Sequence, residues 1–96
     1  MIKKSHLLLA ILFLNTVAFA KTFYVATNGN DSNNGSINAP YKTFNKAVSV
    51  MSAGDVCIIK GGVYEQELVV NKNGDEDNYL TFKAADGETV EIKATS

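Results

Sequence analysis

The chain has 96 residues, with nine lysines, no arginine and ten acidic residues, and this length excludes a large multidomain enzyme. Cys57 is the only cysteine, which excludes a miniprotein held together by disulfides. After residue 20, seven lysines face ten acidic residues, a net charge of −3, so no nucleic acid partner is expected.

Residues 1–20 have the layout of a secretory signal peptide. Two lysines precede the apolar run Leu7–Leu14, and the segment ends in AFA, where Ala18 and Ala20 are the small residues. Eight apolar residues are too few to cross a bilayer, which takes about 20. We therefore predict cleavage between Ala20 and Lys21, a secreted or periplasmic protein, and no membrane attachment afterwards.

A strand followed by a polar loop is predicted at the start of the mature chain. Thr22–Thr27 is rich in residues that favour strands, and Asn28–Ser36 contains no apolar side chain. Asn and Gly tolerate positive φ, and Asn, Asp and Ser side chains bond to their own backbone. We expect these bonds to make the loop compact.

A short amphipathic helix should follow the loop. Its apolar residues recur at helical spacing on one face: Phe44, Ala47, Val48 and Met51. Thr43 is the predicted N-cap, and the helix is expected to end near Gly54.

The second half of the chain is predicted to form strands separated by polar or Gly-containing turns. The predicted strands are Val56–Lys60, Val63–Val70, Tyr79–Ala84 and Thr89–Lys93. Val56–Lys60 recurs about 23 residues later in Tyr79–Ala84, and Leu68–Val70 about 22 residues later in Val90–Ile92, a spacing typical of a solenoid. The alternative is a β-sandwich of hairpins, for which only Asp86-Gly87 offers a two-residue turn.

Stacked coils would give three parts: residues 1–20 as signal peptide, 21–55 as strand, loop and capping helix, and 56–96 as the first coils. The first coil of a solenoid exposes an apolar cross-section and unpaired strand edges. We predict that the apolar face of the helix covers them.

Four segments in fixed order carry a family resemblance: FYVATNGNDSNNG (23–35), APYKTFNKAV (39–48), AGDV (53–56) and KGGVY (60–64). Together they resemble the N-terminal cap and first coil of secreted right-handed parallel β-helix proteins, which include pectate-lyase-like, alginate-lyase-like and chondroitinase-B-like polysaccharide lyases. Residues 65–96 fit only as generic second-coil sequence. The resemblance implies a mostly-β chain that starts such a helix, with a short capping α-helix, and that is a truncated fragment of a longer protein.

The resemblance also implies a function for the parent protein, namely cleavage of acidic polysaccharide by β-elimination. Family members place their catalytic and calcium-binding residues on later coils, so Ca²⁺ is expected only in the full-length parent and no cofactor within this chain. Two alternatives stay open: a non-catalytic secreted or surface β-helix protein that binds carbohydrate, and a small secreted protein that self-associates.

Few residues here could support catalysis or metal binding. The mature chain has no histidine or arginine, which leaves Lys60 and Tyr64, flanking Gly61-Gly62, as candidate acid/base groups. We interpret Lys60 as a solvated charge and Tyr64 as a packing residue with a hydrated hydroxyl. Asp75–Asp77 could offer oxygen ligands to Ca²⁺, but such a run is more often a solvated turn. Cys57 is interpreted as a small buried apolar residue.

Overall fold

A computed structural model describes residues 20–72 and 79–93. In chain order the elements are β1 (Thr22–Val25), α1 (Phe44–Val50), β2 (Val56–Ile59), β3 (Gly62–Tyr64), β4 (Thr81–Ala84) and β5 (Val90–Ile92). Within these two ranges, no helix is long and apolar enough to cross a bilayer. The predicted signal peptide, apart from Ala20, and the acidic run Asp75–Asp77 lie outside the described residues.

The strands form two parallel sheets. One has the order β1-β2-β4, with Val56 opposite Thr22 on one side and Thr81 on the other. The second sheet pairs β3 with β5, and Gly62 lies opposite Val90. Hairpin strands pair antiparallel, so the β-sandwich alternative is wrong and the chain forms stacked coils.

The distance in sequence between paired strands differs from the predicted period. Val56 pairs with a residue 25 positions later and Gly62 with one 28 positions later. The predicted pairing of Leu68–Val70 with Val90–Ile92 is wrong, since β3 ends at Tyr64 and residues 65–70 are irregular. The irregular stretch is bonded to the helix instead: the side chain of Gln66 accepts the main-chain N–H of Phe44 at 2.9 Å.

Helix α1 begins as predicted and ends earlier than predicted. Thr43 is extended at φ −116° and ψ 150°, and its Oγ1 accepts the N–H of Lys46 at 3.1 Å, which confirms the N-cap. The last helical residue is Val50, because Met51 is already extended at ψ 149°. Gly54, at φ 91°, serves the following turn into β2 rather than the helix end.

The buried core joins the helix to the first coil. Its residues are Val25, Tyr41, Phe44, Ala47, Met51, Cys57, Ile59 and Tyr64. Cys57 is buried as predicted, and this burial raises the pKa of its thiol to about 11. The thiol therefore stays protonated at neutral pH and acts as an apolar packing group.

Candidate functional site

The outer edge of β1 is bonded to the edge loop, which we define as residues 28–42. The N–H of Tyr24 donates to the carbonyl of Gly35 at 2.8 Å, and the carbonyl of Tyr24 accepts the N–H of Tyr41 at 2.9 Å. The N–H of Ala26 donates to the carbonyl of Tyr41, also at 2.9 Å. These bonds satisfy main-chain groups that an open sheet edge would leave unpaired.

Side chains inside the edge loop bond to its own backbone. The carboxamide oxygen of Asn30 accepts the N–H of Ser32 at 2.8 Å, and that of Asn34 accepts the N–H of Ser36 at 3.1 Å. These bonds confirm the expectation of a compact loop. Gly35 has φ 83°, and a Cβ added there would lie 2.5 Å from the ring of Tyr41, so this position requires glycine.

Asp31 ties the edge loop to the start of the helix. Its Oδ1 accepts the main-chain N–H groups of Lys42 at 2.8 Å and Thr43 at 2.9 Å, and its Oδ2 accepts the Thr43 hydroxyl at 2.7 Å. Partial burial acts to raise the pKa of Asp31, but these hydrogen bonds and the Lys46 ammonium outweigh it and lower the pKa below its ordinary value. The carboxylate form is therefore the one that holds the loop.

Two side chains from residues beyond the first coil bond to the ends of the helix. Gln66 accepts the N–H of Phe44, as described above. At the other end, the Lys72 ammonium donates to the carbonyls of Met51 at 2.7 Å and Ser49 at 3.1 Å. A cation suits the partial negative charge at a helix C-terminus. Sequence reasoning missed Asp31, Gln66 and Lys72 because no local pattern marks a cap that comes from a distant residue.

The apolar face of the helix is buried against the first coil. Phe44, Ala47, Val48 and Met51 are all buried. The ring of Phe44 lies 5.1 Å from that of Tyr64 in β3, centroid to centroid, at an interplanar angle of 32°. Such tilted aromatic pairs add to the free energy of burial.

The candidate acid/base pair is not assembled as an active site. Tyr64 is only 1% exposed, and its hydroxyl donates to the carbonyl of Lys60 at 2.5 Å. The interpretation of a hydrated hydroxyl is therefore wrong, because the chain folds the ring inward under the first coil. Burial raises the pKa of Tyr64. The phenol contacts the backbone of Lys60 and serves as a packing and hydrogen-bonding residue.

The groove at the start of the helix lacks the chemistry for binding a uronic acid. An open groove of about 420 Å³ is lined by Thr43, Asn45, Glu65, Gln66, Glu67 and Val69. It contains two carboxyl groups and no cation, so it would repel an acidic sugar. Across residues 20–72 and 79–93, no three His, Cys, Asp or Glu side chains come close enough to hold a metal ion.

Known proteins resemble the chain in sequence and in fold. The family described as Pel9A-like, right-handed β-helix region, matches residues 23–96. Pectate lyase L of Dickeya dadantii (strain 3937) is 32% identical over 83 residues, which cover 83% of this chain and 18% of that protein.

Solved structures give the same result. A complex of XylC with xylose superposes with a TM-score of 0.67 at 40% identity, over 72% of this chain and 11% of that one. Pectate lyase Pel9A superposes with a TM-score of 0.63 at 27% identity, over 82% of this chain and 22% of that one.

The matches confirm the predicted fold, the start of a right-handed parallel β-helix with one short α-helix. The chain spans 16–22% of the length of the curated relatives it matches. Its covered first strand, parallel coils and matched residues 23–96 together show that the chain belongs to the Pel9A-like right-handed β-helix family.

Proposed function

We propose that this chain is the N-terminal cap of a secreted or periplasmic β-helix protein that cleaves acidic polysaccharide by β-elimination. The catalytic residues then belong to coils outside this chain, and residues 21–55 form the cap on the coils that start at residue 56. The observation that carries the proposal is the bonded outer edge of β1, where Tyr24 and Ala26 donate to the edge loop.

A cap is the role that this arrangement suits best. A parallel stack must end in a strand with free N–H and C=O groups, and such an edge can pair with another chain. Here the edge loop takes those groups on β1, and the helix buries its apolar face beside the same strand. Both parts are held by Asp31, which bonds the loop to the helix start.

The opposite edge of the same sheet suits continued stacking. The N–H groups of Thr81 and Ala85 donate to the carbonyls of Asp55 and Ile59, next to and within β2. Main-chain groups alternate in direction along a strand, so the amide of Phe82 points to the outer edge. A further coil would pair there.

The substrate class in the proposal comes from the relatives and from general chemistry. Pectate lyase L and pectate lyase Pel9A are named for pectate, a polymer of uronic acid. β-Elimination removes the proton beside the carboxylate, breaks the C–O bond to the leaving sugar and forms a C=C bond. It needs a base and a positive charge near the carboxylate.

Neither Tyr64 nor the groove at the helix start supplies that pair of groups. Tyr64 is buried, and the groove at the helix start carries Glu65 and Glu67. This supports a catalytic centre on other coils. When bound there, Ca²⁺ would supply the positive charge, and residues 20–72 and 79–93 hold no cluster for it.

A second candidate is a parent protein that binds or cleaves neutral sugar. The XylC structure, 40% identical over its match, contains xylose, which carries no carboxylate and cannot undergo this elimination. The cap would be the same in both cases, because its role depends on its packing against the first coil.

Two measurements on the complete secreted protein test the proposal. Its intact mass should be several times that of residues 21–96, whereas a mass equal to those 76 residues would contradict the enzyme proposal. Incubation with polygalacturonate should then raise the ultraviolet absorbance that a conjugated C=C–COO⁻ product gives, and incubation with xylan should not. Sugar release from xylan without that absorbance would favour the second candidate.

The capping role has its own test. Deletion of residues 44–51 from the complete protein should produce an aggregating or unfolded product. The matched control is Ile37→Ala, since this side chain is exposed in the edge loop. A deletion product that stays soluble and fully active would rule out the cap.

A further inference from the structure

Asp55 is a buried carboxylate at the turn that leads into β2. It is 4% exposed. Its Oδ1 accepts the main-chain N–H of Lys21 at 2.9 Å, and its Oδ2 accepts the main-chain N–H of Ser52 at 2.8 Å. Both donors are neutral amides. A buried carboxylate is costly unless a positive charge as well as hydrogen bonds compensates it.

Lys21 is the first residue that the sheet holds. Its carbonyl accepts the N–H of Val56 at 2.9 Å, which extends the β1-β2 ladder by one bond, and its N–H goes to Asp55. The preceding residue, Ala20, is exposed. The main chain of Lys21 is therefore fixed at both its N–H and its C=O, directly after the predicted cleavage point.

We propose that cleavage after Ala20 converts the main-chain nitrogen of Lys21 into an ammonium group that forms a partly buried ion pair with Asp55. This inference rests on the secretion part of the proposed function. A signal peptidase of the host breaks the Ala20–Lys21 peptide bond with one water. The hydroxyl goes to the Ala20 carbonyl carbon, and the Lys21 nitrogen takes the hydrogen and one further proton at neutral pH.

The geometry needs no rearrangement for this pair. The nitrogen already lies 2.9 Å from Oδ1, a normal distance for an ammonium and a carboxylate. Conversion of the amide into an ammonium places a positive charge beside the buried carboxylate of Asp55. A chain that starts one residue earlier puts an amide back at this position and its ammonium outside, at the exposed Ala20.

The stability of the folded chain therefore depends on which residue carries the N-terminal ammonium. Only a chain that begins at Lys21 combines the hydrogen bond from Val56 to the Lys21 carbonyl with a positive charge beside Asp55. The ion pair holds β1 to the turn that leads into β2. Cleavage after Ala20 is therefore coupled to the packing of β1 on the first coil.

The test begins with the N-terminal residue of the natural secreted protein, determined by mass spectrometry. Lys21 is the expected first residue. A different start would overturn the inference but leave the polysaccharide assay and the lyase proposal standing. An inactive protein that starts at Lys21 and passes the next tests would support the inference and count against the lyase.

Four versions of the complete protein then form a double-mutant cycle. They start at Lys21 or at Ala20, and each carries Asp55 or Asp55→Asn. With Asp55, the added residue should lower the ratio of folded to unfolded protein about tenfold, as expected when a charge-assisted bond becomes a neutral one. With Asp55→Asn, it should have little effect. Equal effects in both backgrounds, or none, would overturn the ion pair.

A second readout covers the case in which Asp55→Asn does not fold. An amine-acylating reagent should modify the N-terminal ammonium of the protein starting at Lys21 at least about tenfold more slowly than that of the protein starting at Ala20, because an ion-paired ammonium rarely presents a free amine. The seven lysine side chains of residues 21–96 give the internal reference. Equal rates at the two N-termini would contradict the proposal.

Discussion

The two outer strands of the three-stranded sheet differ sharply, although both pair parallel to β2 in the same register. β1 bonds to the edge loop along its outer side, and Val25 is fully buried. β4 has three exposed residues out of four, and Tyr79 just before it is 69% exposed. The strands alone do not make this difference, since the edge loop and the helix cover only one side.

This contrast indicates where the stability of the described residues lies. We call the part formed by β1, the edge loop and α1 the capped side, and the part formed by β4 and β5 the open side. Substitutions on the capped side should cost more free energy of unfolding than matched substitutions on the open side. Each of the following experiments compares one residue of the capped side with a similar residue of the open side, in the complete protein.

The largest effect is expected for Phe44→Ala. Phe44 is buried and packs on the ring of Tyr64, and loss of a buried Phe costs roughly 3–5 kcal/mol. The matched control is Tyr79→Ala on the open side, where an exposed ring should change stability by less than about 0.5 kcal/mol. Urea unfolding measures both, and equal costs would contradict the capped-side account.

A smaller effect is expected for Gly35→Ala, with Gly87→Ala as the control. Both glycines have positive φ, 83° and 76°, but only a Cβ at Gly35 would meet a neighbour, the Tyr41 ring at 2.5 Å. The shared backbone cost is about 1–2 kcal/mol. Displacement of the ring adds about 1–3 kcal/mol at Gly35 alone. Similar midpoints for the two variants in urea unfolding would show that the loop is not packed on Tyr41.

Asp31→Ala should cost about 0.5–2 kcal/mol, the range for loss of a helix cap, whereas Asp86→Ala in the open-side turn should be nearly neutral. The effect should also depend on pH. The lowered pKa of Asp31 means that its contribution is complete above the ordinary value of 3.8 and is lost as the pH falls through the lower folded-state value. Thermal unfolding from pH 7 to pH 2 should show the two proteins converging in acid. A constant difference would contradict the role of the carboxylate.

The smallest effect is expected for Lys72→Ala. Its ammonium donates to the carbonyls of Ser49 and Met51 at the helix end, an interaction worth about 0.3–1 kcal/mol. Lys83→Ala on β4 is the matched control, because this side chain is exposed. The loss should shrink in high salt, and a loss that salt does not change would point to packing by the Lys72 stem instead.

The helix could be predicted from the sequence because its signals are local. Phe44, Ala47 and Val48 recur at helical spacing, and Thr43 stands directly before them. The caps from Asp31 and Gln66 could not be predicted, since those residues lie 12 and 22 positions from their partners and only the folded chain brings them together.

The spacing of the coils shows a second limit of prediction from the sequence. A buried apolar run such as Val56–Ile59 identifies a strand, and its pairing with Thr81–Ala84 follows from the repeat. The pairing of β3 with β5 does not follow from the repeat, because it depends on the path of the chain between the strands. Residues 65–70 look like a strand but are irregular, since Gln66 bonds to the helix start.

The central claim is that the edge loop closes the outer edge of β1, and hydrogen exchange of single amides tests it most directly. In the complete protein, the amides of Tyr24, Ala26 and Tyr41, which bond between β1 and the loop, should exchange as slowly as those of β2. Slow exchange at these three positions is the predicted result. Exchange at the rate of exposed loop amides, with β2 still protected, would show that the edge is open and contradict the cap.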